Sequence, residues 1–265
     1  MLEHLFLTPR RHPAPAREAA WLSAAQCESI AFDAGRSLPV YTWGEQGPVV
    51  LLVHGWAGRG GQLGAFAAPL RARGYRVVAF DAPAHGGADG RRASLPEFAE
   101  AVERVAAHVG PLSAVIAHSM GAAATTVALS RGLAAGRLVY LAPPMNPGDY
   151  LNLAAHYLGF GSAVARRTQA RIERRFNVRF EWARGGLLAP GMTTPLKIFH
   201  DLHDAEVPYE DGYRLWLKWP GAELATTTGL GHRRLLRDAA VCRAVVDFLH
   251  PDVALDQPEP LRACA

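Results

Sequence analysis

Cysteine is scarce in this chain: Cys27, Cys242 and Cys264 are the whole complement, and they fall far apart with no metal-ligand spacing. An odd, sparse set excludes a disulfide-stapled scaffold and fits reduced thiols in the cytoplasm, with Cys242 packed inside a helix. Long apolar runs are missing too. None reaches membrane-spanning length, so no integral membrane segment is expected. The short stretch Leu5–Leu7 meets Pro9, Arg10, Arg11, His12 and Pro13 at once, which is not the pattern of a secretory leader. There is no basic tail and no interleaving of lysine with aromatics, and the net charge is only +4, so nucleic-acid binding has little support. Repeats, heptads and long charged arms are also absent, which leaves a scaffolding role without a basis.

What is present is an ordinary globular composition: 49% hydrophobic, 20% charged, with 26 glycines and 19 prolines for turns. A chain of 265 residues can bury one large core. Residues 1–25 read as a poorly ordered lead-in ending in a short helix at Trp21–Cys27, and residues 26–44 as a hairpin of Ser29–Phe32 and Leu38–Trp43. From Val49–Val53, an apolar run suited to a strand buried on both faces, the pattern alternates regularly. Helix Gln62–Arg73, strand Arg76–Phe80, helix Ser94–Val109, strand Leu112–Ala117, helix Ser119–Arg131 and strand Arg137–Leu141 follow. Ser94 with Glu97 three residues on marks a capped helix start. The segment 145–194 breaks the alternation with helices at Tyr150–Leu158 and Ala163–Phe176. Strand Leu196–His200, helix Tyr209–Trp216, strand Ala222–Thr227 and helix Arg233–Leu249 resume it, and 251–265 reads as a flexible tail. The prediction is an α/β fold with a mostly parallel central sheet and helices on both faces. Its core is divided into 26–144 and 195–250 by a helical cap at 145–194, over the sheet edge where open α/β sheets bind ligands.

Three residues have the order and settings of a nucleophile, an acid and a base. Ser119 lies between a buried strand and a helix, in Val115-Ile-Ala-His-Ser-Met-Gly121, with small neighbours at Ala117, Gly121, Ala122, Ala123 and Ala124. A strand-to-helix turn that tight strains the serine backbone and needs neighbours without bulk. His232, between Gly231 and the last helix, follows the final strand and supplies an imidazole able to take and return a proton near neutrality. Asp204 would orient it and stabilise the imidazolium, with Asp201 close to the strand end bracing its own loop and Glu206 an alternative acid. Backbone N–H groups of Met120 and Trp56 are the expected oxyanion donors, the Trp56 indole forming a pocket wall or packing in the core. His54, His118, Met145, Tyr150, Tyr157 and Phe160 are further candidate pocket residues. His85, His118, His200 and His203 fall in separate loops without ligand spacing, so no metal is expected. Gly58-Arg-Gly-Gly61 lacks the ending of a phosphate loop, and no dinucleotide pattern follows the first buried strand; no cofactor is expected.

Taken together, His54-Gly-Trp56, Asp81-Ala-Pro-Ala-His-Gly86, Ala117-His-Ser-Met-Gly121, Asp204-x-x-Val-Pro208 and Gly231-His232 make residues 38–250 resemble the α/β-hydrolase superfamily. The resemblance is to the serine-nucleophile, esterase- or lipase-like branch with a helical lid. It departs at Ala117, where the elbow pattern has glycine. It implies a serine hydrolase working through an acyl-enzyme on a small acyl ester, with carboxylic ester hydrolysis the commonest outcome. Thioesterase, C–C bond hydrolase and acyltransferase activities share the same three residues, and non-catalytic ligand receptors share the fold.

Between Met145 and Thr194, seven arginines (Arg166, Arg167, Arg171, Arg174, Arg175, Arg179 and Arg184) stand against three acids, a net of +4. Two readings remain open here. Either the arginines attract an anionic substrate or surface over an apolar pocket, or they coat the outer face of the cap while its aromatics hold it down.

Overall fold

The computed structural model describes residues 1–146 and 148–250, so the tail expected at 251–265 lies outside the described residues. Two helices, α1 (Leu2–Leu7) and α2 (Ala16–Leu22), precede the sheet. The strands are β1 (Gln26–Asp33), β2 (Arg36–Trp43), β3 (Val49–Val53), β4 (Arg76–Phe80), β5 (Leu112–His118), β6 (Ala135–Leu141), β7 (Leu196–Asp201) and β8 (Glu223–Thr227). They form one sheet in the order β1-β2-β4-β3-β5-β6-β7-β8. β2 runs antiparallel to both β1 and β4, and every other pairing is parallel.

The period of two in the central strands explains why they read as unbroken apolar runs. Val49, Leu51 and Val53 point into one core layer while Val50 and Leu52 point into the other. β4 and β5 divide the same way, Val78 and Phe80 against Val77 and Ala79, Val115 and Ala117 against Ala114 and Ile116. Helices cover both layers. The first lies under α4 (Leu95–Val109), which contributes Phe98, Val102 and Val105, and α5 (Met120–Ser130), which contributes Ala124 and Val127. The second lies under α3 (Ala67–Ala72) and, near the end of the chain, a helix at Ala239–Leu249. α4 begins as its sequence predicts: Ser94 Oγ accepts from Glu97 N–H and donates to the Glu97 carboxylate at 2.8 Å.

Between β6 and β7 the chain leaves the sheet as α6 (Asp149–Tyr157), α7 (Ser162–Phe176), a 3-10 turn at Phe180–Ala183 and α8 (Gly185–Leu188). α9 (Tyr209–Lys218), α10 (Gly231–Arg234) and α11 (Ala239–Leu249) complete the chain. Among the described residues, no helix is long and apolar enough to cross a membrane.

Three stretches differ from the sequence reading. Residues 1–25, expected to lack order, hold two packed helices, and Cys27 belongs to β1 rather than to a helix. α1 buries Leu2 and Leu7 against Leu151, Ala155, Ala165 and Ile172 of the cap. α2 sets Glu18 against Arg59 at 2.6 Å and Trp21 over Gly64. The run expected as one helix from Gln62 starts as a 3-10 turn, Gly60–Phe66. There Gly61 and Gly64 lie so close to α2 that a Cβ at Gly64 would come within 2.7 Å of the Trp21 Cβ. The helix expected at Arg233–Leu249 is divided into α10 and α11, because Asp238 stops and caps the chain, its carboxylate accepting from Ala240 and Val241 N–H at 2.9 and 3.1 Å. Asp238→Ala should therefore lower stability by about 1 kcal/mol and Asp238→Asn by much less, measured by urea denaturation; equal losses in the two variants would contradict the capping role.

Candidate active site

The site grows from the turn between β5 and α5. Ser119 occupies that turn at φ +52 and ψ −125, a left-handed backbone that costs a non-glycine residue about 1–3 kcal/mol and survives only where neighbours over-determine it. They do so here: Ser119 N–H donates to Leu141 C=O of β6 at 2.9 Å, and Ser119 C=O accepts from Ala122 at 2.9 Å. On the β3 side the fit is tight enough to forbid side chains. A Cβ at Gly121 would lie 2.7 Å from Val53 O and closer still to His54 O, and one at Gly55 would lie 2.8 Å from the Ser119 Cβ. Ala117, where a glycine is usual, pairs in register with Val53 and places its methyl in the core without displacing the turn.

The loop after β3 is held from beneath. His54 Nδ1–H donates to Gly55 C=O at 2.7 Å, and its Nε2 accepts Ala82 N–H at 3.0 Å. Complete burial pushes its pKa down to about 4, so the ring is neutral. Asp81 accepts from Gly60 N–H, Gly87 N–H and Tyr41 O–H at 2.7, 2.8 and 3.0 Å, tying the loops after β3 and β4 together. Trp56 lies edge-on to His85 with ring centroids 5.0 Å apart. Trp56, Ser119 and Met120 all border one cavity, and Met120 is the first residue of α5, where N–H groups have no intrahelical partner.

His232 and Asp204 meet across two neighbouring loops, His232 Nδ1 lying 2.8 Å from Asp204 Oδ2. The other oxygen of Asp204 accepts from Glu206 and Val207 N–H at 2.8 and 2.9 Å. Burial alone would raise the pKa of Asp204, but the His232 bond and these N–H donors outweigh it and hold the carboxyl below its usual range. Glu206 turns outward to Arg233 at 2.9 Å, which leaves Asp204 as the carboxylate against His232. His118 packs on the His232 ring at 4.5 Å, its Nε2 lying 3.1 Å from His232 O; burial lowers its pKa well below normal.

Asp201 does more than brace its own loop. One oxygen accepts from Leu230 N–H and Thr227 O–H, each at 2.8 Å, and the other from His203 N–H at 3.0 Å. A single buried carboxylate thus ties the segment leading to Asp204 to the segment leading to His232. Burial opposes its ionisation, yet these donors hold its pKa down at about 2.

The cavity beside Ser119 measures about 390 Å³. Tyr150 and Tyr157 line it, as the sequence reading expects, and so does Trp56. The other four candidate wall residues stand elsewhere. His54 is enclosed beneath its loop, His118 is buried behind His232, Met145 packs in the core against Gly185, and Phe160 joins the cluster under α1. The seven cap arginines are all exposed, and among them only Arg179 touches the cavity. Their pattern is that of a solvated outer face. Leu5, Phe6 and Leu7 of α1 also form part of the wall. Only their apolar character hinted at this, because the segment lies far along the chain from the cap it joins. Among the described residues, no group of three or more His, Cys, Asp or Glu could hold a metal ion.

A model of the alpha/beta hydrolase family matches residues 50–245. No curated protein matches the chain. Among solved structures, the thioesterase domain of the curacin biosynthetic pathway is 20% identical with a TM-score of 0.63, covering 85% of this chain and 99% of its own. Est1E of Butyrivibrio proteoclasticus, with ferulic acid bound, is likewise 20% identical at a TM-score of 0.63, over 84% of this chain and 96% of that one. A hydrolase from Pseudomonas aeruginosa is 19% identical at 0.66, over 84% and 98%.

The lowered pKa of Asp201 has a consequence for acid stability. A carboxyl depressed on folding stabilises fully above its ordinary 3.8, and that stabilisation is lost as pH falls through about 2. Asp201→Asn should therefore be less stable by about 1–3 kcal/mol at pH 7, and the deficit should shrink as pH falls toward 2. Urea titrations at several pH values, followed by tryptophan fluorescence, measure this; a pH-independent deficit would contradict it.

Proposed function

The chain belongs to the α/β-hydrolase family, and from that premise we propose that it is a serine hydrolase cleaving carboxylic esters through an acyl-enzyme on Ser119. One observation carries the reading: the strained Ser119 turn opens on an apolar cavity while His232, bonded to Asp204 at 2.8 Å, sits on the neighbouring loop. In the proposed reaction Ser119 Oγ attacks the carbonyl carbon and its proton passes to His232 Nε2. Asp204, kept ionised, fixes the proton on Nδ1 and stabilises the imidazolium. The carbonyl oxygen gains the negative charge and takes hydrogen bonds from the N–H groups of Trp56 and Met120, aided by the positive end of α5. Collapse expels the alcohol, protonated by His232. Water then attacks the acyl-enzyme with His232 as base, and Ser119 leaves with the proton returned.

A thioester would follow the same steps, and the relatives named above include a thioesterase domain and a protein that binds a small aromatic acid. The steps draw only on residues of this chain. Cys27 and Cys242 are free thiols, which supports the cytoplasmic location we propose.

A fluorophosphonate should label the folded protein at Ser119, and Ser119→Ala should abolish labelling. With p-nitrophenyl acetate, Asp204→Asn should lower kcat by about 10⁴-fold, because the imidazole is then held in the wrong tautomer. Glu206→Gln should keep kcat within about three-fold, as expected of an exposed ion pair. Equal losses from the Asp204 and Glu206 variants would remove Asp204 from the role, and labelling that persists in Ser119→Ala would overturn the nucleophile.

A further inference from the structure

α1 is fixed to two different parts of the molecule. On the cap side, Leu2 and Leu7 are buried with Leu151, Ala155, Ala165 and Ile172, and the Glu3 carboxylate pairs with both Arg171 and Arg175 at 3.2 Å. On the core side, Leu7 C=O accepts from Ala93 N–H at 2.9 Å, and Arg11 donates to Ala84, Ala88 and Gly90 carbonyls at 3.1, 2.6 and 3.1 Å. Between these attachments Leu5 and Phe6 face the cavity that Ser119 borders, Phe6 half-buried and Leu5 more exposed.

The wall chemistry constrains what fits there. Arg179 is the sole charged residue among those lining the cavity. Of the polar ones apart from Ser119, the Ser94 hydroxyl is committed to capping α4, and the Tyr150 hydroxyl points at Asp211, 3.4 Å away. A carboxylate or a string of hydroxyls would lose its hydration there with few partners to replace it. An alkyl chain loses nothing and gains about 0.8 kcal/mol per methylene buried, equivalent to about four-fold in affinity.

We propose that α1 is the length gauge of this site: Leu5 and Phe6 end the space available to an uncharged, apolar arm of the substrate. This rests on the serine-hydrolase reading for the chemistry at Ser119, but the gauge itself concerns binding and can be measured without turnover. The arm is either the acyl chain or the alcohol of the ester, and the shared chemistry is a straight apolar chain.

Binding is tested in Ser119→Ala, with straight-chain 1-alkanols of increasing length as probes and tryptophan fluorescence as readout, since Trp56 and Trp182 both line the cavity. Affinity should rise by about four-fold per methylene and then level off where the chain meets α1. Adding Phe6→Ala should move the plateau to longer chains, and adding Leu5→Trp should move it to shorter ones. Leu5 is 45% exposed, so its replacement is tolerable for folding even where that of Phe6 is not. With Ser119 restored, p-nitrophenyl esters of rising acyl length and acetate esters of rising alcohol length assign the arm by which kcat/KM profile shifts. A plateau left in place by both variants overturns the gauge. Failure of a fluorophosphonate to label the wild type, with the alkanol plateau still moving, overturns the chemistry instead.

Discussion

Everything catalytic proposed for this chain depends on how closely two pieces of backbone approach each other. The turn after β5 and the loop after β3 pass at a distance that leaves no room for a Cβ at Gly55 or Gly121. That contact is what keeps Ser119 at φ +52, because relaxing the serine would drive the start of α5 into the end of β3. The parallel sheet makes the arrangement possible: β3 and β5 are adjacent and in register from Val50–Ala114 to Val53–Ala117, so both strands end at the same level. The strain is thus carried by strand pairing and core packing rather than by any bond that Ser119 makes through its side chain.

Around that turn, each polar side chain that is buried serves a loop. Asp81 holds the loop after β3, Asp201 joins the segments leading to Asp204 and His232, and His54 bridges Gly55 and Ala82. Burial keeps His54 and His118 neutral, so the strongly ionised groups beneath the site are carboxylates saturated by N–H and O–H donors. A rigid polar base under an apolar cavity lets charge be managed at the carbonyl end of a substrate while the remainder is held by apolar contact alone.

The sheet was readable because each central strand is a short apolar run set between glycine-rich loops, as at Val49–Val53 before His54-Gly-Trp56. The nucleophile turn announced itself through its small residues, and Ser94 with Glu97 marked the start of α4. Pocket walls were another matter. His54 and His118 flank the turn in sequence, yet adjacency along a strand end says nothing about which side of the sheet edge a ring occupies, and both rings went under the loops. Tertiary closeness defeated the reading at α1 as well, since six residues carry too short a pattern to show that their apolar side faces helices made much later. At Arg233–Leu249 the apolar spacing continued past a residue, Asp238, that is better used as a cap than as a helix interior.

The attachment of α1 to the cap also bears on how the chain is made. Leu2 and Leu7 are translated long before their partners in α6 and α7, with nearly the whole of the sheet's first half between them. At ribosomal speeds of about 5–20 residues per second, that leaves α1 waiting on the order of ten seconds with its apolar side unmatched. A helix this short has little stability of its own over that interval. The core must therefore assemble first, and the cap is finished by recruiting a segment that has been waiting since the start of synthesis.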